Sequence, residues 1–392
     1  MNENIHRIWA EIDLDAIGHN MRVIREHTDK NAKIMAIVKA DAYGHGVVSV
    51  ARTMIENGAD AFGVACVDEA IQLRRNGFSI PILVLGATLP CEAETIVDYD
   101  ITTAAFDFDN AKHLSEVAVK KGKRASVHIK VDTGMSRIGI VAVQKGAEKQ
   151  VKKIASLPGI EITGIFSHFS CADTDNEELT FRQFDRFVSF CDKVKNEGIN
   201  LPLRHICNSA AIFRYPHMQL DMVRAGIVCY GLYPSEKISG YGLEPAMSLK
   251  TSVSRVEKLL PGESVSYGAV YTATEEKRIA TLMAGYADGY SRLFSKGGRV
   301  ILGGEYAKIL GKICMDQCMV DVSNVNNISV GDVATLFGKS DDKCIPVEEL
   351  AALSGTINYE IICMISRRVP RVYKEGGKYT FELNYITDNC KQ

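Results

Sequence analysis

The stretch IMAIVKADAYGHG at residues 34–46 decides the fold class of this chain. It begins with an apolar run typical of a buried strand and continues into a turn that carries a lysine, two glycines and a histidine. A doubly wound nucleotide-binding sheet would place the pattern G-x-G-x-x-G directly after such a strand. KADAYGHG does not fit that pattern. The stretch therefore predicts a strand over residues 34–40 in a parallel fold other than the doubly wound sheet.

Short strands and longer helices alternate from this stretch as far as residue 235. The candidate strands are residues 34–40, 61–66, 82–85, 101–105, 126–131, 161–166, 203–207 and 220–227. The helical patterns cover residues 47–57, 68–76, 110–121, 142–156, 177–196 and 209–214. Eight strand-and-crossover units of this kind predict an α/β fold with a (β/α)8 TIM barrel over residues 1–240.

The pattern changes after Gly231, where long helical segments become scarce. From Pro245 onward, strand-like runs are separated by turns of Gly, Pro and Asn. This pattern of short strands and turns predicts a C-terminal, mainly β domain over residues 241–392. The strand-like WAEIDL at residues 9–14 could belong to either domain.

Composition and charge exclude several classes of protein. The 392 residues carry 46 Lys and Arg against 48 Asp and Glu, so no basic field attracts nucleic acid or anionic lipid. The N-terminal MNENIHRIWAEI lacks the features of a signal peptide, and no apolar run reaches the ~20 residues of a membrane span. Eleven cysteines without a Cys-x-x-Cys motif indicate reduced thiols and no metal site. We therefore expect a cytoplasmic protein without metal, nucleic-acid or membrane partners.

Nine motifs carry a family resemblance. VKADAYGHG (38–46) resembles the pyridoxal-phosphate-binding segment of alanine racemases. The resemblance continues in the same order through HIKVDTGMSRIG (128–139), SHF (167–169), HICNSAA (205–211), MVRAGIVCYGLYP (222–234), SYG (266–268), GYADGYSR (285–292), CMDQCMVDV (314–322) and INYEIICMISRRVPR (357–371). It implies a homodimeric isomerase that interconverts L- and D-alanine on pyridoxal 5′-phosphate and supplies D-alanine for peptidoglycan.

Two residues are candidate catalytic bases. Alternation along the first strand places Lys39 on one face with Met35 and Ile37, and apolar neighbours favour a neutral, nucleophilic amine. An ordinary lysine at a strand end fits these residues equally well. The resemblance implies that Lys39 binds the cofactor as a Schiff base and serves as one base. It implies that Tyr267, which would otherwise be read as core packing, is the second base and reaches the partner subunit's barrel.

The loops after strands seven and eight are candidates for phosphate binding, as in many TIM barrels. Ser209 offers a hydroxyl at the start of a helix, and Gly226 allows close approach of the backbone. A plain helix cap is the alternative role of Ser209. The resemblance adds Ile227 in the second loop and the phenols of Tyr43 and Tyr359 to the cofactor site.

Arg224 is predicted to face the pyridine nitrogen of the cofactor, on the strength of the resemblance. A guanidinium donates hydrogen bonds but keeps its protons at neutral pH, so it would leave the ring a weak electron sink. Without the resemblance, a salt-bridged structural arginine would be the favoured interpretation. His168 resembles the family's link between Tyr267 and Arg224.

Lys130 and Arg137 form a second candidate pair of charged groups. Period-two alternation directs His128 and Lys130 toward the barrel interior, where an ammonium facing Arg137 would be unfavourable. Related racemases carbamylate the matching lysine, which implies N6-carboxylysine at position 130. Arg137 would then contact the cofactor's phenolic oxygen and the substrate carboxylate.

The remaining candidates concern substrate access. The resemblance implies that the backbone at Met315 and Asp316 meets the substrate carboxylate. It implies an entrance narrowed by Tyr286 and Tyr359, with Asp173 and Arg292 further out. Lys312 departs from the family, where arginine is common, and this leaves its hydrogen-bond geometry in doubt.

Three alternatives to alanine racemase follow from the same residues. A non-catalytic pyridoxal-phosphate carrier would have no use for the β domain with Tyr267. A decarboxylase of basic amino acids would favour an acidic partner at the pyridine nitrogen, and Arg224 is basic. A serine or broad-specificity racemase of the same fold is the nearest alternative, although such relatives tend to replace the tyrosine matching Tyr359.

Overall fold

The computed structural model describes residues 6–388, so the first five residues of the N-terminal stretch and Cys390 lie outside the described chain. The chain forms two compact units. The barrel unit comprises Ile17–Ala42 and Val47–Glu244. Among the described residues, the sheet unit comprises residues 6–16, the short segment Tyr43–Gly46, and residues 245–388.

A short ninth strand of the barrel unit, Ile140–Val141, pairs in parallel with Ala125–Asp132, and eight parallel strands form the barrel itself. In spatial order they are Met222–Ala225, Lys33–Ile37, Ala61–Val64, Ile82–Val84, Thr102–Ala105, Ala125–Asp132, Ile160–Phe166 and Arg204–His205. The two edges meet where Arg224 N donates to Cys207 O at 3.0 Å and Asp221 N donates to Arg204 O at 3.1 Å. These bonds close the sheet, and the predicted (β/α)8 architecture is confirmed.

Helices alternate with the barrel strands along the chain. Asp107 accepts from Asn110 N at 2.8 Å and Asn176 accepts from Leu179 N at 3.1 Å, so two helices have side-chain caps at their N-termini. The helices are Leu14–Glu26, Val47–Glu56, Val67–Arg75, Ala93–Asp98, Phe108–Lys120, Ala147–Ala155, Glu177–Asn196 and Ser209–Arg214, with 3-10 turns at Pro90–Glu92, Pro216–Met218 and Ile227–Tyr230. The last two α-helices have the predicted bounds.

The first barrel strand ends at Ile37, which corrects the prediction that it continues to residue 40. Residues 40–43 instead form a left-handed turn with φ between 51° and 55°. Two side-chain hydrogen bonds hold the turn in place: Glu69 accepts from Ala40 N at 2.6 Å, and the turn's own Asp41 accepts from Val47 N at 2.9 Å. The alternation of the strand therefore does not extend to Lys39, which opens the turn.

A ten-stranded sheet dominates the sheet unit. In spatial order its strands are Lys343–Ile345, Val333–Ser340, Arg299–Leu302, Glu305–Leu310, Cys318–Asp321, Lys277–Leu282, Met247–Leu259, Ile8–Asp13, Arg371–Glu375 and Lys378–Leu383. The strand Ile8–Asp13 is antiparallel to Met247–Leu259 and parallel to Arg371–Glu375. A separate, mainly β region is thus confirmed.

Shorter elements complete the sheet unit. Ser264–Val265 and Tyr271–Thr272 form a two-stranded ribbon, and Val347–Ser354 and Asn358–Cys363 are helices that the sequence pattern did not indicate. Three 3-10 turns carry candidate site residues: Tyr267–Ala269, Tyr286–Asp288 and Arg292–Ser295.

All ten cysteines within residues 6–388 are free. In the same part of the chain, each helix is too short or too polar to traverse a lipid bilayer.

Candidate active site

The carboxyl ends of the barrel strands bring together most of the candidate residues of the barrel unit. Lys39 follows the first strand, and Arg224 lies in the neighbouring strand, where Ala225 is paired with Ala36. Ser209 and His168 follow two further strands. Since the carboxyl ends of parallel strands share one edge of a barrel, these side chains belong to one end of it.

Arg224 is the best-defined group at this end, with only 3% of its surface exposed. Its Nη1 donates to His205 Nδ1 at 2.9 Å. Its Nη2 lies 2.7 Å from Ser167 O, 3.0 Å from Ile206 O and 3.0 Å from His168 Nδ1. Burial lowers the pKa of Arg224 to about 10, which still leaves the group charged at neutral pH. The guanidinium is therefore a fixed cationic donor.

The two histidines bound to Arg224 are neutral. Burial lowers the pKa of His168 and of His205 well below the usual value, and the charge of Arg224 lowers both further. Because a guanidinium has no acceptor, each Nδ1 must accept, and each ring carries its proton on Nε2. The hydrogen bonds from Arg224 thus favour the Nε2–H tautomer in both rings.

Ser209 and Gly226 are joined by a hydrogen bond. Gly226 N donates to Ser209 Oγ at 2.9 Å, and Asn208 caps the helix by accepting from Ala211 N at 3.1 Å. Ser209 Oγ thus accepts from the second loop, and its own proton can still be donated to an anion. The cap role falls to Asn208 rather than to Ser209.

Lys130 is buried within the barrel, with 4% of its surface exposed. Its Nζ donates to Val131 O at 2.8 Å and lies 5.4 Å from the centre of the Phe166 ring. Burial and the charge of Arg224 lower its pKa to about 7, although Asp132 acts in the opposite direction; the charge of Arg137 contributes a further lowering. A large fraction of this lysine is therefore a neutral amine near physiological pH.

Arg137 stands on an exposed loop that Asp132 organises. Asp132 Oδ1 accepts from Gly134 N, Met135 N and Ser136 N at 2.9, 3.0 and 3.1 Å. Burial would raise the pKa of Asp132, but these three bonds more than offset it and the pKa is lowered. The loop conformation is thus held by one carboxylate just ahead of Arg137.

Tyr43 and Tyr359 lie together in the sheet unit, with ring centres 6.1 Å apart. Gly44 follows Tyr43 with φ +82°, and a Cβ there would overlap the carbonyl oxygen of Ile362. Arg371 Nε donates to Gly44 O at 2.9 Å. Close packing of the backbone therefore fixes the segment that carries Tyr43.

Two loops of the sheet unit hold Tyr286 beside Met315. Tyr286 N donates to Cys314 O at 3.1 Å, and Ala287 N donates to Met315 O at 3.0 Å. A Cβ on Gly285 would overlap both of these carbonyl oxygens, so only glycine fits at this position. The backbone alone therefore sets the spacing of the two loops.

A buried carboxylate supports the same loops. Asp288 is fully buried and pairs with both Arg7 and Arg368. Asp288 also accepts from Gly285 N at 2.9 Å, and Arg368 reaches Asp316 at 2.6 Å. This cluster ties the turn that carries Tyr286 to the loop that carries Asp316.

Tyr267 is highly accessible on the sheet unit, with 69% of its surface exposed. It begins a 3-10 turn between Ser266 and Ala269, both of which have positive φ. Ser266 Oγ donates to Lys312 O at 2.5 Å. This hydrogen bond holds the turn against the loop that contains Lys312. A core role for this tyrosine is thus ruled out within the single chain.

The remaining candidate residues are Arg292, Asp173 and Ile227. Arg292 is exposed and begins a 3-10 turn that Ser291 caps by accepting from Leu293 N at 3.2 Å. Asp173 is half-buried in the barrel unit, and Ile227 is buried at the start of its own 3-10 turn.

Sequence reasoning missed two supporting residues. His205 binds Arg224, and its position at the head of the HICNSAA motif was the only available signal. Gln183 is fully buried and connects Ser170 N to His168 O, with bonds of 3.0 and 3.1 Å. A glutamine within an amphipathic helix gives no indication of such a role in the sequence.

Comparisons with known proteins agree over nearly all of the chain. Residues 12–234 match the family model "Alanine racemase, N-terminal domain", and residues 246–373 match "Alanine racemase, C-terminal domain". Alanine racemase 1 of Clostridium acetobutylicum is 45% identical over 98% of this chain and 100% of its own length. The alanine racemase of Clostridium difficile superposes with a TM-score of 0.94 at 39% identity, covering 98% of this chain and 100% of that one. The Bacillus anthracis alanine racemase with bound L-Ala-P superposes with a TM-score of 0.93 at 36% identity, covering 98% and 99%.

Proposed function

Since this chain belongs to the alanine racemase family and interconverts L- and D-alanine as an isomerase (EC 5.1.1.1), we propose that it does so with pyridoxal 5′-phosphate bound to Lys39. The reaction predicted from the motifs is confirmed by these relatives, whereas the decarboxylase and the non-catalytic carrier find no support among them. Supply of D-alanine for peptidoglycan fits the family as a whole.

The donor set at the carboxyl end of the barrel fits the proposed cofactor. Lys39 provides an amine for the aldehyde carbon, Ser209 a hydroxyl for the phosphate, and Arg224 a permanent donor for the pyridine nitrogen. Three chemically different groups of the cofactor thus each have a matching partner. Once bound, pyridoxal phosphate withdraws electrons from the substrate Cα and makes its proton more acidic.

Further residues are assigned to the cofactor from the family motifs. Ile227 would present its backbone N–H toward the phosphate, Gly226 would allow the backbone to approach it closely while its own N–H binds Ser209 Oγ, and Tyr43 and Tyr359 would donate phenol protons. The fixed backbone at Tyr43 and the buried start of the turn at Ile227 support these roles.

Arg224 sets the electronic character of the site. It donates to its acceptors without releasing a proton, because its pKa of about 10 stays above physiological pH. A pyridine nitrogen that receives a hydrogen bond but no proton is a weaker electron sink. We therefore assign Arg224 the role of limiting transamination, with His168 holding its orientation at 3.0 Å.

Lys39 and Tyr267 are proposed as the two bases. Inversion at Cα needs one group to remove a proton and another to return it from the opposite face. A base must come within roughly 2.6–3.2 Å of the atom whose proton it exchanges, or one water away. The high exposure of Tyr267 supports a role outside its own unit.

We propose a homodimer in which each subunit's Tyr267 completes the partner's barrel. A two-fold dimer makes both sites equivalent, so each subunit can contribute its barrel to one site and its Tyr267 to the other. The exposed turn Tyr267–Ala269, fastened at Ser266 to Lys312, is suited to such a projection.

Lys130 and Arg137 are proposed to bind the substrate carboxylate as a pair. A neutral amine at Lys130 can form an N–C bond to carbon dioxide and release one proton to solvent, and the resulting carbamate is an anion that would attract Arg137. The lowered pKa of Lys130, about 7, supports this modification. Arg137 is then oriented toward the cofactor's phenolic oxygen and the substrate carboxylate.

The entrance is assigned to Tyr286 and Tyr359, with Asp173 and Arg292 outside them and Met315 contacting the substrate carboxylate through its backbone. The fixed spacing of Tyr286 and Met315 supports a rigid opening rather than a flexible one.

The placement of Arg224 between two neutral histidines, beside the strand that leads to Lys39, carries the proposal. Its first test is the Lys39→Ala variant incubated with pyridoxal phosphate and borohydride. We expect no covalent link in this variant and a stable link in the unmodified chain. A reducible link that survives in Lys39→Ala would assign the cofactor to another lysine.

A subunit-mixing experiment tests the shared site. Inactive Lys39→Ala subunits mixed with inactive Tyr267→Phe subunits should regain activity, because one site of each heterodimer then has both bases. If subunit exchange is demonstrated and the mixture stays inactive, Tyr267 does not act in the partner's barrel.

A further inference from the structure

Three buried side chains form one continuous line of hydrogen bonds through the barrel. Arg224 Nη1 is 2.9 Å from His205 Nδ1, and His205 Nε2 is 2.8 Å from His128 Nδ1. His205 is fully buried and His128 is 5% exposed. The line therefore connects the arginine of the proposed cofactor site to a histidine that the mechanism above does not use.

The chemistry of the first member fixes the direction of every bond. Arg224 can only donate, so His205 Nδ1 accepts and the single proton of this neutral ring lies on Nε2. That proton is donated to His128 Nδ1, and the proton of His128 then lies on its own Nε2. Burial lowers the pKa of His128 to about 3, so a neutral ring is expected there as well.

Packing holds both rings in these orientations. Phe166 stacks on His205 with ring centres 5.1 Å apart and an angle of 5° between the planes. The ring of His128 lies against Gly164, where a Cβ would come within 2.7–2.9 Å of three ring atoms. Each ring thus has one face covered by a neighbour, Phe166 for His205 and Gly164 for His128.

The far end of the line reaches a cavity of ≈ 50 Å³. His128 lines it together with Lys33, Asp60, Thr102, Leu203 and Met222. Most of its wall is apolar, with Lys33, Asp60 and Thr102 as the polar residues beside His128, and its volume has room for at least one water, since about 10–15 Å³ suffices. Water or a polar wall group can therefore accept the Nε2 proton of His128 without breaking the order of the line.

We propose that His128 is a positioning residue that keeps His205 in the Nε2–H tautomer and thereby keeps Arg224 aligned. The inference rests on the proposed function, in which Arg224 donates to the pyridine nitrogen. Without an acceptor at His128, His205 must either leave a buried N–H unpaired or move its proton to Nδ1, where it would face the Arg224 donor. Both outcomes weaken the bond that orients the guanidinium.

The test uses His128→Leu, which removes the acceptor, and His128→Asn, whose Oδ1 can replace Nδ1 as acceptor. Met222→Ala is the matched control, because it enlarges the same cavity and leaves the line intact. Histidine ¹⁵N signals of the cofactor-free protein, assigned by single-histidine substitutions, report the tautomer of His205 directly. A second readout is the ratio of transamination to racemisation in the holoenzyme.

We expect the Nε2–H tautomer of His205 in the unmodified chain, in His128→Asn and in Met222→Ala. In His128→Leu this tautomer should be lost or mixed, and the transamination ratio should rise about tenfold and return toward its original value in His128→Asn. An Nδ1–H tautomer in the unmodified chain overturns the proposal even if the leucine variant does not fold. An unchanged tautomer in a folded His128→Leu protein overturns it equally. Failure of the cofactor assignment would show separately, in the borohydride test on Lys39→Ala.

Discussion

Raising the pH through 7 in ¹³C-bicarbonate should load a carbamate onto Lys130 under conditions in which ordinary lysines carry almost none. Only the neutral amine reacts with carbon dioxide, so the pKa decides the extent of reaction. The pKa of Lys130 is lowered from 10.5 to about 7, chiefly by burial and by Arg224. At pH 8 about 90% of Lys130 is then neutral, against about 0.3% of an unperturbed lysine, which is an advantage of about 300-fold.

The assay is ¹³C NMR of the protein in labelled bicarbonate over a pH series. Lys130→Ala should abolish the carbamate signal. Lys277→Ala is the control, because Glu275 and Asp321 raise the pKa of Lys277 and keep it protonated. We expect a signal that is half-maximal near pH 7 in the unmodified chain and unchanged in the control.

The reasoning would be refuted by a signal that persists in Lys130→Ala or that rises only near pH 10. A further consequence links the signal to function. Removing bicarbonate should raise the KM for L-alanine, because the anion that orients Arg137 is lost.

Three other substitutions have defined outcomes. Arg224→Glu should slow racemisation and increase transamination, because a carboxylic acid can protonate the pyridine nitrogen. Chiral analysis measures racemisation and pyruvate release measures transamination. An unchanged ratio of the two would show that Arg224 does not face the pyridine ring. Ser209→Ala should weaken the affinity of the apoenzyme for pyridoxal phosphate about tenfold, because one hydrogen bond to a charged group contributes roughly 1.5 kcal/mol. A titration that shows equal affinity would argue against phosphate binding at Ser209. Gly285→Ala should raise the KM and lower the Tm, because its Cβ would push apart the loops of Tyr286 and Met315; normal values for both would contradict the fixed spacing.

The barrel could be predicted from sequence because each of its elements has a local signal. The helix Glu177–Asn196 is preceded by a capping asparagine and carries a clear apolar stripe, and the structure has its predicted bounds. The alternation in Ala125–Asp132 also placed Lys130 and His128 inside the barrel correctly. Strong periodicity and capping residues were sufficient here.

Other features had no local signal. The left-handed turn at residues 40–43 contains two alanines, which favour right-handed helices, so only tertiary contacts such as Glu69 to Ala40 N can explain it. The bond between His205 and His128 joins residues 77 positions apart, and no pattern in either segment indicates it. The cofactor and the second base came from the resemblance rather than from spacing.

The left-handed turn beside Lys39 has a consequence for how this enzyme could be adapted to heat. Each non-glycine residue in this conformation costs roughly 1–2 kcal/mol, so four in succession hold several kcal/mol that the native state must offset elsewhere. Glycine at Ala40 or Ala42 would release part of that energy and slow thermal inactivation, yet it would make the turn that begins at Lys39, the lysine proposed to bind the cofactor, more flexible. Thermal stability and catalytic turnover therefore favour opposite changes in this short segment. Substitutions that raise the thermal stability should be sought in the sheet unit instead.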